Sequence, residues 1–460
     1  MTDTSFSSLA LPVALVSNLN DLGYTSMTAI QAQALPAILA GQDIIAQAKT
    51  GSGKTAAFGL GLLAKLDVKY FRVQTLVLCP TRELADQVAA ELRKLARSIH
   101  NIKILTLCGG VPLGPQIGSL EHGAHIIVGT PGRVIDHLDQ NRLKLDDLTT
   151  LVLDEADRML EMGFQADLDA VIAKAPAARQ TLLFSATYPN AIAKLSERLL
   201  NNPLRVTVEE QHNTSSIEQL FFQVSDNHHR LTALRSLLLT YQGQSSMVFC
   251  NTKRETQDVA DALKDYGFSV LALHGDMEQK DRDQTLVQFA NGSACILVAT
   301  DVAARGLDIS SVDAVFNYQL AHDADTHTHR IGRTGRAGQS GMAISLFTAS
   351  DAGKLIPLED GLGIKIEGAE LPAIAMSTQA PAKPLMATLQ LDGGKKHKIR
   401  AGDIVGALTA SKQLTNDDLG KIQLHDIWSF VAVKRSAVRL ALQLIAEGKI
   451  KGKSIRARAL

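Results

Sequence analysis

A glycine-rich stretch near the N-terminus, AKTGSGKT at residues 48–55, is close to a phosphate-binding loop. Gly53, Lys54 and Thr55 match the end of the pattern G-x-x-x-x-G-K-[ST], whereas Ala48 stands where its first glycine should be. The stretch follows an apolar run, DIIAQA, and precedes a helical pattern, AAFGLGLLAKL. Because unpaired N–H groups at the start of a helix bind phosphate, the sequence predicts a nucleotide site here, with Lys54 on the phosphates and the Thr55 hydroxyl on Mg²⁺.

A second candidate for phosphate chemistry is acidic. In LVLDEAD (151–157) an apolar strand pattern ends in Asp154, followed by Glu155. A carboxylate at the end of a strand can hold Mg²⁺ through water, and a neighbouring carboxylate can polarise an attacking water. Taken alone, the stretch also fits a strand that runs into a solvated acidic turn. The phosphate loop about 100 residues earlier favours the catalytic interpretation.

A third candidate is basic. HRIGRTGR (329–336) places Arg333 and Arg336 three residues apart, which puts them on one face if the segment is helical. Arginine is suited to clamping phosphoryl oxygens in a transition state, so these residues are candidates for arginine fingers. A basic surface turn is the alternative interpretation of this segment alone.

The elements that would position these residues alternate along the chain. Short unbroken apolar runs, typical of strands buried on both faces, alternate with amphipathic patterns such as 81–99 and 252–267. The clearest strand candidates are TLVLC (75–79), HIIVG (125–129), TLVLD (150–154), TLLFS (181–185), MVFCN (247–251) and CILVAT (295–300). This alternation predicts parallel α/β sheets.

Composition and charge set further limits. The chain has 460 residues and a net charge of zero, yet residues 386–460 hold 14 basic and 6 acidic residues, so this tail carries +8 and the rest −8. A basic tail on an acidic body indicates a module that meets a polyanion, although a solvated basic face is also possible. The four cysteines form no C-x-x-C pair and are expected to be buried thiols, as in a reducing cytoplasm. No secretory signal or membrane span is expected.

Seven segments in this order resemble the motifs of the DEAD-box RNA helicases. They are AKTGSGKT, PTREL (80–84), TPGR (130–133), DEAD (154–157), SAT (185–187), ATDVAARGLD (299–308) and HRIGRTGR. Alanine is common at the first loop position of that family, which accounts for Ala48. The resemblance implies two tandem RecA-like parallel-sheet domains, ATP and Mg²⁺ as cofactors, and RNA as the partner.

The resemblance also implies roles for individual residues. ATP is expected to contact Phe6, Gln31, Ala48, Lys49, Thr50, Gly51, Ser52, Gly53, Lys54, Thr55, Gly306 and Asp308. Catalysis is assigned to Lys54, Asp154, Glu155, Arg333 and Arg336, and Mg²⁺ to Thr55 and, through water, Asp154. The RNA backbone is expected on Arg82, Gly110, Thr130, Gly132, Arg133, Asn251, Thr252, Thr300 and Asp301. Ser185, Thr187 and His329 are expected to couple hydrolysis to strand separation.

The basic tail resembles the C-terminal domain of one bacterial DEAD-box subgroup, in which this domain recognises a hairpin of 23S ribosomal RNA. The shared phrases are GGKK, GDIVGALT and GKIKGK. Phe430 stands where an RNA-recognition motif places a stacking aromatic, but Gln390 replaces its usual aromatic partner. Lys395, Lys396 and Lys398 therefore join Phe430 as candidate RNA contacts.

These observations predict an organisation and a function. The expected segments are a first RecA-like domain (1–208), a linker (209–216), a second RecA-like domain (217–366), a linker (367–385) and an α+β RNA-recognition-motif-like domain (386–460). The expected function is non-processive, ATP-dependent unwinding of 23S ribosomal RNA in precursors of the large ribosomal subunit. The expected location is the bacterial cytoplasm, with no membrane and no obligate protein partner. An ATP-gated RNA clamp and a DNA translocase of the same superfamily are the alternatives.

Overall fold

The computed structural model describes residues 4–48, 51–208, 217–241, 243–304, 311–335, 340–371 and 380–460. The chain divides into two compact units, Met1–Gln211 and His212–Leu460. None of the helices in these ranges is both long enough and apolar enough to cross a membrane. The four cysteines, predicted to be buried thiols, are buried.

A parallel sheet of seven strands forms the centre of the first unit, in the order β3-β4-β2-β5-β6-β1-β7. Its strands are β1 (Ile44–Gln47), β2 (Thr75–Leu78), β3 (Ile104–Leu107), β4 (Ile126–Gly129), β5 (Thr150–Leu153), β6 (Gln180–Ser185) and β7 (Leu204–Thr207). Leu76 and Leu78 pack into one apolar cluster and Val77 into another, so the sheet is buried on both faces.

Helices cover both faces of this sheet. They are α1 (Val13–Asp21), α2 (Ala29–Leu39), α3 (Lys54–Lys65), α4 (Arg82–Leu95), α5 (Leu113–Glu121), α6 (Pro131–Asp139), α7 (Ala156–Glu161), α8 (Gln165–Ala173) and α9 (Asn190–Leu199). Phe58 of α3 and Leu92 of α4 lie in the cluster of Val77, and Leu138 of α6 and Leu168 of α8 lie in the other.

The second unit begins with a six-stranded parallel sheet in the order β10-β11-β9-β12-β13-β8. Its strands are β8 (Ile217–Gln223), β9 (Ser246–Cys250), β10 (Val270–Leu273), β11 (Ile296–Thr300), β12 (Ala314–Asn317) and β13 (Gly341–Phe347). Its helices are α10 (Asn227–Thr240), α11 (Lys253–Asp265), α12 (Gln279–Ala290), α13 (Asp301–Ala304), α14 (Ala324–Ile331) and α15 (Ala352–Leu362).

The C-terminal part of the second unit is a small α+β domain. It contains β14 (Met386–Leu391), α16 (Ala401–Thr409), β15 (Leu419–Leu424), β16 (Ser429–Lys434), α17 (Val438–Glu447) and β17 (Ala457–Ala459). The strands form an antiparallel sheet in the order β15-β16-β14-β17. Leu389 and Val431 face the apolar side chains of Ile404 in α16 and Ile445 in α17, so both helices cover one face of the sheet.

The predicted fold class is confirmed: two parallel sheets are followed by a small α+β domain. Each of the six predicted strands is present, and its ends differ from the prediction by no more than one residue. The helical interpretation of 329–336 holds only in part, because α14 ends at Ile331 and Arg333 follows it in a turn.

Candidate functional site

The predicted site residues of the first unit converge at one edge of its sheet. The phosphate loop follows β1, Arg82 follows β2, Gly110 follows β3, Thr130 follows β4, Asp154 follows β5, and Ser185 ends β6. These are the carboxyl ends of parallel strands, the edge at which open α/β sheets bind ligands. Five predicted site residues, Lys49, Thr50, Gly306, Asp308 and Arg336, lie outside the described residues, as does the linker 209–216.

The described part of the phosphate loop has backbone features that suit phosphate binding. Gly51 and Gly53 have φ of 89° and 94°, and α3 begins at Lys54 directly after Gly53. The Lys54 Nζ donates to the carbonyl of Ala48 at 2.7 Å, which ties the start of α3 to the residue that follows β1. Ala48 is not among the described residues with positive φ, so alanine is tolerated at its position. A buried lysine and a glycine cradle at a helix start fit a nucleoside triphosphate.

Gln31, predicted to contact ATP, is tied directly to this loop. Its Nε2 donates to the carbonyl of Gly53 at 3.1 Å, and its Oε1 accepts from the Thr28 N–H at 2.9 Å. A Cβ at position 53 would lie 2.5 Å from that Nε2, so glycine is also required there for space. Phe6 is only 4% exposed and packs edge-on against Tyr24, with 6.3 Å between ring centroids.

The two predicted catalytic carboxylates are both buried. Burial raises the pKa of the Asp154 carboxyl to about 6, and the ammonium of Lys54 opposes that rise. Glu155 is a non-glycine residue with φ of 50°, a conformation that costs roughly 1–2 kcal/mol. Its Oε2 accepts from Arg158 Nη1 at 2.9 Å. The backbone strain and this ion pair fix the direction of the Glu155 side chain, as a water-orienting group requires.

Replacing Asp154 with asparagine is expected to stabilise the protein while abolishing ATP hydrolysis. The folded-state pKa of about 6 exceeds the ordinary value of 3.8, so ionising Asp154 opposes folding as pH rises through this window. At about 1.4 kcal/mol per pKa unit, the variant should gain on the order of 3 kcal/mol at pH 8. Urea unfolding at pH 8 and at pH 4.5 measures this gain, which should shrink at the lower pH. An equal gain at both would contradict it.

Asp157 connects the candidate site residues, and the sequence analysis did not single it out. Its Oδ2 accepts from the N–H of Ala186 at 3.1 Å and from the N–H and hydroxyl of Thr187 at 2.8 and 2.9 Å. Its own N–H donates to the Ser185 hydroxyl at 3.3 Å, and the Ser185 carbonyl accepts from the Ala48 N–H at 3.0 Å. Asp157 thus joins the acidic motif to both predicted couplers. The sequence signal that could have identified Asp157 is its place as the last residue of the DEAD segment (154–157).

The predicted RNA-binding residues of the first unit contact mainly backbone groups of nearby segments. Gly110 has φ of 72°, the Thr130 N–H donates to the Leu107 carbonyl at 3.1 Å, and Arg133 Nη1 donates to the Val111 carbonyl at 3.4 Å. Arg82 Nε lies 3.5 Å from an Asp86 carboxylate oxygen. Gly132 lies in the first turn of α6.

Two buried polar side chains connect the loop before Gly110 with helix α6. Gln116 Nε2 donates to the Cys108 carbonyl at 2.9 Å, and its Oε1 lies 3.1 Å from the Nε2 of His137 in α6. Because the Gln116 amide already donates through its nitrogen, His137 is the donor in this pair. The contact sets the spacing of the two predicted RNA-binding segments.

In the second unit, Arg330 gathers the predicted RNA residues Asn251 and Asp301. Its Nε and Nη2 donate to both carboxylate oxygens of Asp301 at 2.6 and 2.7 Å, and Nη2 also donates to Asn251 Oδ1 at 2.7 Å. Its side chain is 1% exposed. The sequence pointed to Arg333 and Arg336 as the functional arginines and missed Arg330, although it lies in the same motif.

Replacing Arg330 with lysine is expected to lower the free energy of unfolding by about 3 kcal/mol, because one ammonium at this buried position cannot satisfy the carboxylate and the amide together. Since Asn251 and Asp301 lose their shared support, the RNA concentration for half-maximal ATPase activity should rise roughly tenfold. Urea unfolding and ATPase titration with RNA measure both effects. Arg254→Lys is the matched control, because Arg254 is 92% exposed and pairs with the exposed Asp258. An equal change in both variants would contradict this role of Arg330.

Of the remaining predicted residues of the second unit, Thr252 and Thr300 lie at the carboxyl ends of β9 and β11, whereas Arg333 lies beside the segment that precedes β12. Thr252 caps α11, accepting from the Glu255 N–H at 3.2 Å, and Thr300 ends β11. His329 lies in the last turn of α14. Arg333 is 7% exposed, and its carbonyl accepts from the Val312 N–H at 3.0 Å.

The helices of the C-terminal domain, α16 and α17, cover only one face of its sheet. The opposite face lies against α12. Gln284 Nε2 donates to Gln390 Oε1 at 3.0 Å, and the hydroxyls of Ser293 and Thr388 are 2.7 Å apart. Phe430, paired with Gln390 across the sheet, is 1% exposed. The ring that was predicted to stack on RNA is therefore covered by protein here, because the polar side chain of Gln390 bonds a neighbouring helix instead of completing an aromatic platform.

The predicted lysines occupy a different, exposed edge of this domain. Lys395, Lys396 and Lys398 are exposed, and Lys451 Nζ donates to the Lys398 carbonyl at 2.6 Å. Lys398 and Lys451 both have positive φ, 59° and 51°. The loops after β14 and before β17 thus meet and concentrate positive charge.

Comparison with known proteins agrees with this geometry. Residues 28–195 match the DEAD/DEAH box helicase family, 229–338 the helicase conserved C-terminal domain and 388–459 the DbpA RNA binding domain. The chain is 55% identical to the ATP-dependent RNA helicase DbpA of Escherichia coli over 99% of this chain and 100% of that protein. It is 43% identical to the ATP-dependent RNA helicase CshA of Listeria monocytogenes, over 78% of this chain and 68% of that protein. A structure of Saccharomyces cerevisiae Dbp5 bound to RNA and ADP BeF3 matches with 32% identity and a TM-score of 0.71, over 80% of this chain and 96% of that one.

Proposed function

The chain belongs to the DEAD-box family of ATP-dependent RNA helicases, and from this premise we propose that it unwinds 23S ribosomal RNA locally and non-processively during assembly of the large ribosomal subunit. The observation that carries the proposal is the similarity to DbpA over the full chain, the RNA-binding domain included. The exposed lysines of that domain support a polyanionic partner. The bacterial cytoplasm is the proposed location.

The phosphates of ATP would lie on the N–H groups that precede α3, with Lys54 released from the Ala48 carbonyl to reach them. The Thr55 hydroxyl and, through water, Asp154 would hold Mg²⁺, which neutralises phosphate charge when bound. Glu155, directed by Arg158, would orient the attacking water. Arg333 and Arg336 would stabilise the charge that develops on the γ-phosphate.

Coupling to RNA would pass through Asp157. Its hydrogen bonds hold Ser185 and Thr187 beside the phosphate loop, so a change at the γ-phosphate shifts both. The RNA backbone would lie on the strand-end residues of both units, which bind sugar and phosphate without reading sequence. A strand bent on that surface cannot stay paired in an A-form duplex, and local separation follows.

ATPase assays across 23S ribosomal RNA, its fragments and unrelated RNA, paired with unwinding of a duplex next to the bound hairpin, test this proposal. We expect ribosomal fragments that contain the recognised hairpin to stimulate ATPase activity at far lower concentrations than unrelated RNA. Duplex separation should require ATP. Equal stimulation by all RNAs would show that 23S ribosomal RNA is not the specific target. ATP hydrolysis without duplex separation would favour the alternative function of an ATP-gated RNA clamp.

The lysine edge, and not Phe430, is expected to bind the hairpin. Changing Lys395, Lys396 and Lys398 together to glutamine should reduce the slope of log K against log salt concentration by about 2, at about 0.7 for each lost phosphate contact. Phe430→Leu keeps an apolar side chain in the covered position and should leave affinity within about twofold. RNA binding measured from 50 to 300 mM salt compares the two. A larger loss in Phe430→Leu would restore the stacking role of Phe430.

A further inference from the structure

We propose that a pocket in the second unit, between the C-terminal domain and the segment that precedes β11, binds one single-stranded nucleotide of the RNA. Its phosphate lies on Arg435 and Arg439, and its base lies on the apolar wall. The inference rests on the proposed function, because the RNA in this pocket is an extension of the RNA that the C-terminal domain recruits.

The pocket is large enough for a nucleotide and too small for a duplex. Its volume is about 320 Å³, at the lower end of the range for small-ligand sites. The wall combines two arginines, Arg435 and Arg439, with the apolar side chains of Met386 and Val438 and with Ser293 from the segment before β11. A lining that combines basic and apolar side chains suits a phosphate joined to a base.

Both arginines are available for an anion. They are exposed and four residues apart, on either side of the residue where α17 begins. Among the residues that the structure describes, neither forms an ion pair with a carboxylate, that of Leu460 included, although the adjacent Lys434 pairs with Asp418 at 3.1 Å. Two planar guanidinium groups there suit the oxygens of one phosphodiester.

The apolar wall favours a nucleotide over inorganic phosphate. Met386 and Val438 offer surface to a base, whereas a bare phosphate would gain nothing from them. The Ser293 hydroxyl already bonds Thr388, which holds this wall against the C-terminal domain. A paired base cannot enter, so the nucleotide must be single-stranded.

The pocket is separate from the predicted RNA-binding residues of the same sheet. Ser293 precedes β11, whereas Thr300 and Asp301 lie at its carboxyl end. RNA held by the C-terminal domain would thus be fixed at a second point, on the amino-terminal side of this strand.

The test is RNA binding by the full chain carrying Arg435→Gln and Arg439→Gln together. Two probes are compared, a 23S ribosomal RNA hairpin and the same hairpin with a single-stranded extension, in a salt titration. The extension should strengthen binding to the unmodified protein about tenfold, the worth of roughly one charged hydrogen bond, and the double variant should lose this gain. In the double variant, the slope of log K against log salt concentration should be smaller by about 0.7, which corresponds to the loss of one single-strand phosphate contact.

Controls separate this pocket from a general charge effect. Lys412→Gln with Lys421→Gln removes the same charge from exposed positions that do not line the pocket, and it should keep the gain from the extension. Arg435→Lys with Arg439→Lys should restore part of the gain. An equal loss in the lysine control would overturn the proposal, as would an unmodified protein that binds inorganic phosphate or a nucleoside monophosphate at this pocket but gains nothing from the extension.

The proposed function can fail independently of the pocket. If the unmodified protein binds an unrelated hairpin as tightly as the ribosomal one, the 23S target is wrong. A gain from a single-stranded extension that the arginine variant alone loses would still support the pocket.

Discussion

Glu155→Gln is expected to lower ATP turnover by on the order of 10²–10⁴ while ATP and RNA still bind. The side chain is buried, its backbone adopts φ of 50°, and Arg158 Nη1 lies 2.9 Å from its Oε2. Glutamine keeps this shape and its acceptor oxygen toward Arg158, but it cannot accept a proton from water. Steady-state ATPase rates with saturating RNA measure the loss of turnover, and equilibrium nucleotide binding measures whether ATP still binds.

Glu161→Gln is the matched control for this change. Glu161 lies at the exposed end of the same helix, α7, and its substitution should leave turnover within about twofold because surface changes away from a site act weakly. If Glu155→Gln turns over ATP at the normal rate, another group orients the water. If it loses nucleotide binding as well, Glu155 supports the site and does not act in hydrolysis.

Removing residues 386–460 is expected to raise the ribosomal RNA concentration for half-maximal ATPase activity by on the order of 10²–10⁴. Tethering by a second binding module raises effective concentration by amounts of this size. The truncated chain should respond alike to ribosomal and unrelated RNA, because the strand-end residues of both sheets are expected to grip only backbone. ATPase titrations with both RNAs measure the change.

The truncated chain should remain folded. The sequence predicts a linker over 367–385 before the tail, and the structure places the tail's sheet against α12. The side chains that lose their partners, such as Gln284, Asn291 and Ser293, are polar and can bond water. Far-UV circular dichroism and thermal unfolding of the truncated chain provide the control. A folded chain that still prefers ribosomal RNA would place recognition in the two parallel-sheet domains.

The position of the candidate site residues at the carboxyl ends of the strands could be predicted from local sequence. A loop such as 48–55 carries its glycines, lysine and threonine in one short segment, and its strand–loop–helix context is also local. Buried parallel strands appear as apolar runs because both of their faces are covered, and this is why TLVLC and HIIVG were placed correctly. Motifs in a fixed order then indicated the family.

What joins these segments depends on contacts between distant residues. The network of Arg330 with Asn251 and Asp301, and that of Asp157 with Thr187, form when different strands end at one edge of a sheet, and no local pattern reports such a meeting.

In the C-terminal domain, too, some features could be predicted from the sequence and others depend on contacts between distant residues. The sequence by itself determined that residues 386–460 are basic, that Gln390 interrupts the aromatic pair and that the chain carries the ATP motifs of a DEAD-box helicase. The tertiary structure decided which face of the tail is open. Gln284 and Ser293 cover the face of Phe430, while Lys451 meets Lys398 at an exposed edge. Burial depends on which surfaces pack together, and residues more than a hundred positions apart decide that through three-dimensional complementarity.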